Sequence, residues 1–126
     1  MPPRKSILIV EDDEDLRRMF RHALSVAGYD VKDTGDGINA LRLVELQRPD
    51  LIILDLGLPL LSGLNVQQEI AAHAHTRDIP VVIVTASAAP LDGVDVACVL
   101  RKPVSPEEVV DVVRQCLAAA VRRDTA

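Results

Sequence analysis

Residues 51–63, LIILDLGLPLLSG, set one acidic residue, Asp55, at the end of four aliphatic ones. The aliphatic run does not alternate with polar residues, so it suits a parallel strand buried on both faces. A lone carboxylate ending such a run is either a cap on the following loop or a chemical group presented in a crevice. What the rest of the chain brings to the same place decides between them.

Three further runs have the same character: ILIV (7–10), VVIV (81–84) and, more loosely, VACVL (96–100). YDVKDT, from Tyr29, is more polar and fits a strand nearer the edge of the sheet. Helical spacing fills the gaps. Leu16, Met19, Phe20, Ala23, Leu24 and Ala27 recur at three- and four-residue intervals, and Gly28 supplies the stop. Ile38, Leu41, Val44 and Leu46 make a second stripe that ends before Pro49, and Leu64, Val66, Ile70 and Ala71 suggest a third helix beginning at Gly63. Ser105, Pro106, Glu107 and Glu108 supply an N-cap, a proline at the first helical position and acids in the first turn, which predicts a helix to about Val121.

This alternation predicts a single α/β domain over residues 1–126, with a parallel sheet covered on both faces and flexible tails at 1–5 and 122–126. The segment ASAAPLDGVD (86–95) is too short for a full helix with its turns, so one or two helical turns or a loop are expected there. The final helix is apolar around more of its circumference than one buried stripe requires, through Val109, Val110, Val112, Val113, Cys116, Leu117 and Val121. Either tight packing or a homodimer or partner surface explains that surplus.

Composition narrows the function classes. A chain of 126 residues, 48% hydrophobic and 26% charged, makes one globular domain with a real core. No apolar run approaches the ~18–20 residues of a membrane span, and MPPRKS does not read as a secretory signal, so a cytoplasmic protein without membrane contact is expected. A net charge of −5 argues against broad nucleic-acid binding, and one Phe, one Tyr and no Trp leave no base-stacking platform. Cys98 and Cys116 have no CxxC spacing and read as buried thiols. His22, His73 and His75 read as exposed helix residues; two apart, His73 and His75 would not share a helix face for a metal.

In an open α/β sheet, ligands bind beyond the carboxyl ends of the strands. Four strand ends carry polar groups: Glu11, Asp12 and Asp13 after ILIV, Asp55 after LIIL, Thr85 after VVIV, and Arg101-Lys102-Pro103 after VACVL. All converge on one edge. Carboxylates crowded there repel unless protonated or bridged by a cation, and Mg²⁺ suits a few carboxylates with several waters. A lysine and a hydroxyl beside them suit phosphoryl oxygens. Together they make a phosphoryl-transfer site in which Asp55 becomes an acyl phosphate, with Asp13 the better candidate for a helix cap.

The pieces ILIVEDD, LIILDLGLP-x3-G, VVIVTA and LRKP, in this order, resemble the receiver domain of bacterial two-component response regulators from Ser6 to about Val121. The resemblance implies a flavodoxin-like, doubly wound five-stranded parallel sheet in the order 2-1-3-4-5. It implies that Asp55 accepts a phosphoryl group from a histidine kinase or phosphotransfer protein. Glu11 and Asp12 match the acidic pair that binds Mg²⁺ (or Mn²⁺), Asp12 more directly, with Asp55 and the Gly57 backbone carbonyl completing the protein ligands. Thr85 matches the switch hydroxyl, Ala86 the small residue beside it, and Lys102 the lysine that pairs with the phosphoryl oxygens. Lys102-Pro103 looks like the peptide bond often cis in the family, and Pro59 and Gly63 match residues that shape the loop after the phosphorylated strand.

Two departures stand out. The switch position three residues before the lysine is usually aromatic but is Val99 here, and the span from Thr85 to Lys102 looks shorter than usual, reducing the family's fourth helix. The usual threonine-to-aromatic coupling therefore cannot operate as such. The expectation is a stand-alone switch, not an enzyme on outside substrates, with a receiver of a hybrid kinase or phosphorelay as the alternative. An aspartyl-phosphate phosphatase would need a second Asp where Gly57 stands, and a degenerate binding module would not retain Asp12, Asp55, Thr85 and Lys102.

Overall fold

Strands β1 (Ser6–Val10), β2 (Asp30–Thr34), β3 (Leu51–Leu54), β4 (Val81–Thr85) and β5 (Cys98–Arg101) pair in parallel, in the order β2-β1-β3-β4-β5. Four helices alternate with them: α1 (Glu14–Val26), α2 (Gly37–Leu46), α3 (Gly63–Ala72) and α4 (Pro106–Asp124). The computed structural model describes residues 3–88 and 90–124. The strand order is the expected doubly wound one, with its reversal between β1 and β3.

The unbroken aliphatic runs have their physical reason in this order. Successive strand side chains point to opposite faces, so a strand between two helix layers needs apolar residues at every position. Ile7, Ile9, Leu51, Ile53, Val82 and Val84 pack on one face with Phe20 and Leu24 of α1 and Val109 and Val113 of α4. Leu8, Val10, Ile52, Leu54, Val81 and Ile83 pack on the other with Ala40 and Val44 of α2 and Val66 and Ile70 of α3. β2 is an edge strand with exposed polar positions, as its composition predicts.

Helix ends follow the expected signals. Asp13 caps α1, accepting from the backbone N–H of Asp15 and Leu16, and Gly28 takes a φ of 101° just beyond it. Ser105 Oγ accepts from Glu108 N–H at 3.2 Å while a Glu108 carboxylate oxygen accepts from Ser105 N–H at 3.2 Å, a reciprocal capping box.

Several expectations are corrected. α2 packs through Gly37, Ala40 and Val44, leaving Ile38 and Leu46 exposed. Val44 and Leu46 are two residues apart, about 200° around a helix, so one face cannot hold both. α3 buries Gly63, Val66, Gln67 and Ile70, which puts Leu64 off the stripe. His73 and His75 fall past the end of α3, their ring centroids 5.9 Å apart.

The tail expected over 122–126 is helical as far as Asp124, and Lys5 at the other end ties to β2 through its carbonyl, which accepts from Asp30 N–H at 2.9 Å. Residues 1, 2, 125 and 126 lie outside the described residues. The segment between β4 and β5 is a loop with a turn at Asp92-Gly93, and no helix forms there among the described residues. In α4, Val110, Val112, Cys116 and Leu117 pack against the core, so packing absorbs most of its apolar surplus, and Val121 at 50% exposure is the large apolar side chain left outward. Neither cysteine is in a disulfide, and both are half-buried.

Candidate phosphoryl-acceptor site

Because the strands are parallel, the residues after β1, β3, β4 and β5 leave the sheet at one edge. Glu11 follows β1 and is fixed from two sides: its N–H donates to the Thr34 carbonyl at 3.1 Å, and its own carbonyl accepts from the Arg17 guanidinium at 2.8 Å. Arg17 also reaches Asp33 at 3.1 Å, so α1, β1 and β2 are tied where the acidic pair begins. Asp55 keeps the strand ladder for one more residue, its N–H donating to the Val10 carbonyl at 2.9 Å. Gly63 then returns against it. A methyl group at Gly63 would overlap the Asp55 carbonyl oxygen and come within 2.6 Å of Leu56 Cα, so the α3 N-terminus holds the Asp55 backbone in place only because no side chain is there.

The side chains converge. Lys102 Nζ lies 2.7 Å from Glu11 Oε1 and 3.2 Å from Asp55 Oδ2. Ligand oxygens of Glu11, Asp12 and Asp55 all lie within 4.8 Å of one another. Asp55 also accepts from Gly57 N–H at 3.2 Å and is 6% exposed, whereas Asp12 is open to solvent. The space beside Gly57 is open: a Cβ there would meet nothing within 4 Å. Thr85 is buried and its hydroxyl oxygen accepts from Ser87 N–H at 3.1 Å, while its carbonyl accepts from Lys102 N–H at 2.9 Å. Ala86 follows at the exposed start of the loop, and the Lys102-Pro103 peptide is cis. Val99 lies opposite Ile83 in the sheet and packs, half-buried, against the α2–α3 side of the core.

The charges are unevenly shared. Burial pushes the Glu11 carboxyl up, its hydrogen bond and charge relation with Asp55 add to this, and Lys102 relieves it only partly, so its pKa rises from 4.5 to about 7. Burial also raises Asp55, but the hydrogen bond with Glu11, the Gly57 N–H and the Lys102 charge outweigh it, and its pKa falls below 3.8. For Lys102 burial disfavours the ammonium, yet Glu11 and Asp55 together lift its pKa above 10.5. The two shifts favour ionisation of Asp55 over that of Glu11, the state in which a carboxylate can act as a nucleophile. Glu11 Oε1 is buried and its contact with Lys102 lacks hydrogen-bond geometry. An all-oxygen set of three crowded carboxylates, with only one lysine among them, fits a hard divalent cation such as Mg²⁺.

The sequence matches the family model described as the response regulator receiver domain over residues 7–114. The chain belongs to that family. It is 35% identical over 121 residues to the polar-differentiation response regulator DivK of Brucella anthropi, covering 92% of this chain and 98% of DivK. It is 34% identical to the probable transcriptional regulator ycf27 of Cyanophora paradoxa, covering 90% of this chain but 48% of that protein, so the chain spans about half the length of that relative. The receiver domain of the sensor histidine kinase PA1611 from Pseudomonas aeruginosa, solved with magnesium coordinated in its active-site cleft, superposes with a TM-score of 0.83 at 31% identity, covering 92% of this chain and 99% of the other. This receiver is thus a phospho-accepting signalling switch, of a kind that works with histidine kinases or phosphotransfer proteins.

Two residues of consequence escaped the sequence reading. Arg17 lies on the α1 helix with no local signal, because its partners are a carbonyl after β1 and a carboxylate on β2. Gln67 is buried on α3, where its side-chain amide donates to the Asp95 carbonyl and so ties the β4–β5 loop to α3. A cavity of about 320 Å³, lined by Gln67, Ile79, Val81 and Leu117 among others, lies at the opposite edge of the sheet and contains none of the site residues. No helix among the described residues is long and apolar enough to cross a membrane.

Proposed function

We propose that this receiver accepts a phosphoryl group on Asp55 from the phosphohistidine of a histidine kinase or phosphotransfer protein, and signals through protein contacts until water removes the group. The observation that carries this reading is Asp55 paired with Lys102 at 3.2 Å inside an acidic cluster that is open beside Gly57.

In the transfer, an Asp55 oxygen bonds to phosphorus as the phosphorus–nitrogen bond breaks, its electron pair returning to the imidazole, which takes up a proton. Lys102 sits where it neutralises charge on the phosphoryl oxygens. Thr85 holds Ser87 N–H with its oxygen and has its hydroxyl proton to give, so it turns toward a phosphoryl oxygen past the small Ala86. Glu11, Asp12, Asp55 and the Gly57 carbonyl would hold Mg²⁺ or Mn²⁺, which when bound neutralises the crowded carboxylates and draws charge from the phosphoryl oxygens. Attack of water on phosphorus restores the Asp55 carboxylate and releases orthophosphate. These partners place the protein's work in the cytoplasm. With Val99 where an aromatic residue is usual, the change at Thr85 is read through the β4–β5 loop.

The test is intact mass after incubation with acetyl phosphate and Mg²⁺. Wild type is expected to gain one phosphoryl group and Asp55→Asn none. Failure of the wild type to gain mass, or an equal gain in Asp55→Asn, overturns the reading.

A further inference from the structure

Because the strands are parallel, their amino ends also share one edge, opposite the phosphoryl site. The cavity of about 320 Å³ opens there, a size that suits a small ligand. Ile70, Ile79 and Leu117 give it an apolar wall. Lys5, Arg48, Arg77, Asp78 and Asp95 add charges of both signs. Asp50 lines it too, but its carboxylate is held by the Ser6 N–H at 2.7 Å and the Ser6 hydroxyl at 3.2 Å. None of the other five enters an ion pair among the described residues. Cations and carboxylates that share a cleft without neutralising one another offer separate places for opposite charges on one ligand.

The turn that carries Arg77 and Asp78 is held at three points. The buried Thr76 hydroxyl donates to the Ile70 carbonyl at 2.7 Å, Arg77 N–H donates to the His73 carbonyl at 2.9 Å, and the Arg48 guanidinium donates to the His75 carbonyl at 2.9 Å. A turn fixed in advance lowers the ordering cost of binding.

Gln67 supplies an independent sign of a missing donor. It lines the same cavity at 3% exposure, and its side-chain N–H donates to the Asp95 carbonyl. A carbonyl can only accept, so this contact fixes which way the amide faces and leaves Oε1 as the spare acceptor. Oε1 is buried with no hydrogen-bond partner. Buried acceptors are rarely left so.

We infer that this cavity binds a free α-amino acid with an apolar side chain. The ammonium donates to Gln67 Oε1 and faces Asp78 and Asp95, the carboxylate meets Arg77 and Lys5, and the side chain packs on Ile70, Ile79 and Leu117. A nucleotide would set several negative charges against the two acids, a simple amine would leave the cations unmet, and a fatty acid would leave the acids and Oε1 unmet. The site shares no residue with the acidic cluster and does not depend on Asp55 being the acceptor.

The experiment is ¹H–¹⁵N NMR of the whole chain, titrated at constant ionic strength with leucine, isoleucine, valine, methionine and phenylalanine in turn. At least one is expected to shift the Gln67 side-chain amide and the Arg77, Asp78 and Asp95 backbone amides with a shared dissociation constant below about 1 mM. The N-acetyl and carboxamide derivatives of that amino acid each keep one charge and should bind about tenfold more weakly. Arg77→Gln and Asp78→Asn, both exposed, should each weaken binding about tenfold, whereas Arg18→Gln on α1 should bind as wild type does. The inference is overturned if none of the five amino acids moves these amides at that concentration, or if either derivative binds as tightly as its parent. Binding within twofold of wild type in both Arg77→Gln and Asp78→Asn overturns it too, as does an equal loss in Arg18→Gln. Adenosine monophosphate binding there more tightly than any of the amino acids would assign the cavity to another class of ligand.

Discussion

The two sides of the carboxyl edge are built differently. On the β1–β3 side, strands buried on both faces end in Glu11 and Asp55, and Arg17, Asp13 and Gly63 each fix a backbone position beside them. On the β4–β5 side, β5 is half-buried, and the loop before it is held by the Gln67 amide and by the Arg101 guanidinium, which donates to the Ser87 carbonyl. The first side holds two carboxylates, Glu11 and Asp55, to fixed positions. The second runs through a loop that is exposed over most of its described length. Chemistry and readout therefore make different demands on packing: a nucleophile has to be held, whereas a reporter has to have two arrangements within a few kcal/mol of each other.

The largest expected effect breaks the first side. Ile53→Ala empties a fully buried position in the central strand and should lower unfolding free energy by about 3–4 kcal/mol in denaturant titration. Val99→Ala on half-buried β5 should lower it by about 1 kcal/mol, and equal losses would erase the contrast between the sides. Lys102→Met removes the counter-charge and should slow phosphoryl labelling by acetyl phosphate about a hundredfold, read by intact mass over time. A loss under threefold would mean the ammonium does not meet the phosphoryl group.

The pH dependence of metal-free protein sharpens the comparison further. Glu11 binds a proton more tightly folded than unfolded, so its contribution to stability is full below about 4.5 and is lost as pH rises through about 7. Asp55 has the opposite sign: its pKa is depressed, so its contribution is present above 3.8 and is lost as pH falls below that. Denaturation midpoints should therefore decline between pH 4.5 and 7, and Glu11→Gln or excess Mg²⁺ should flatten the decline. Smallest, Ser105→Ala should cost about 1 kcal/mol by opening the capping box of α4, with labelling of Asp55 unchanged. A labelling defect in that variant would show that the far end of the β5 connection feeds back on the site.

Much of this was legible along the chain because the signals are local. A strand covered on both faces has to be apolar throughout, so ILIV, LIIL and VVIV announce their own burial, and caps such as Asp13 and Ser105 act within three residues. Parallel strands carry their ends to one edge, so Glu11, Asp12, Asp55, Thr85 and Lys102 could be grouped before any distance was known. Helix faces were legible less well: Ile38, Leu46 and Leu64 are apolar but exposed, since the small Gly37 and Ala40 set the side that approaches the sheet.

Packing alone supplied the rest, because the groups involved meet across long gaps in sequence. Which carboxylate keeps the proton depends on burial and on where Lys102 falls between Glu11 and Asp55. Arg17 finds its carbonyl, and Gly63 its place under Asp55, only when the helices dock. The left-handed turn that exposes Leu60 is likewise invisible in the string LIILDLGLPLLSG, since leucine does not choose that conformation unless the surrounding chain requires it. Residue types are enough to name the chemistry; distances and exposure decide which atom performs it and which side chains are left facing outward.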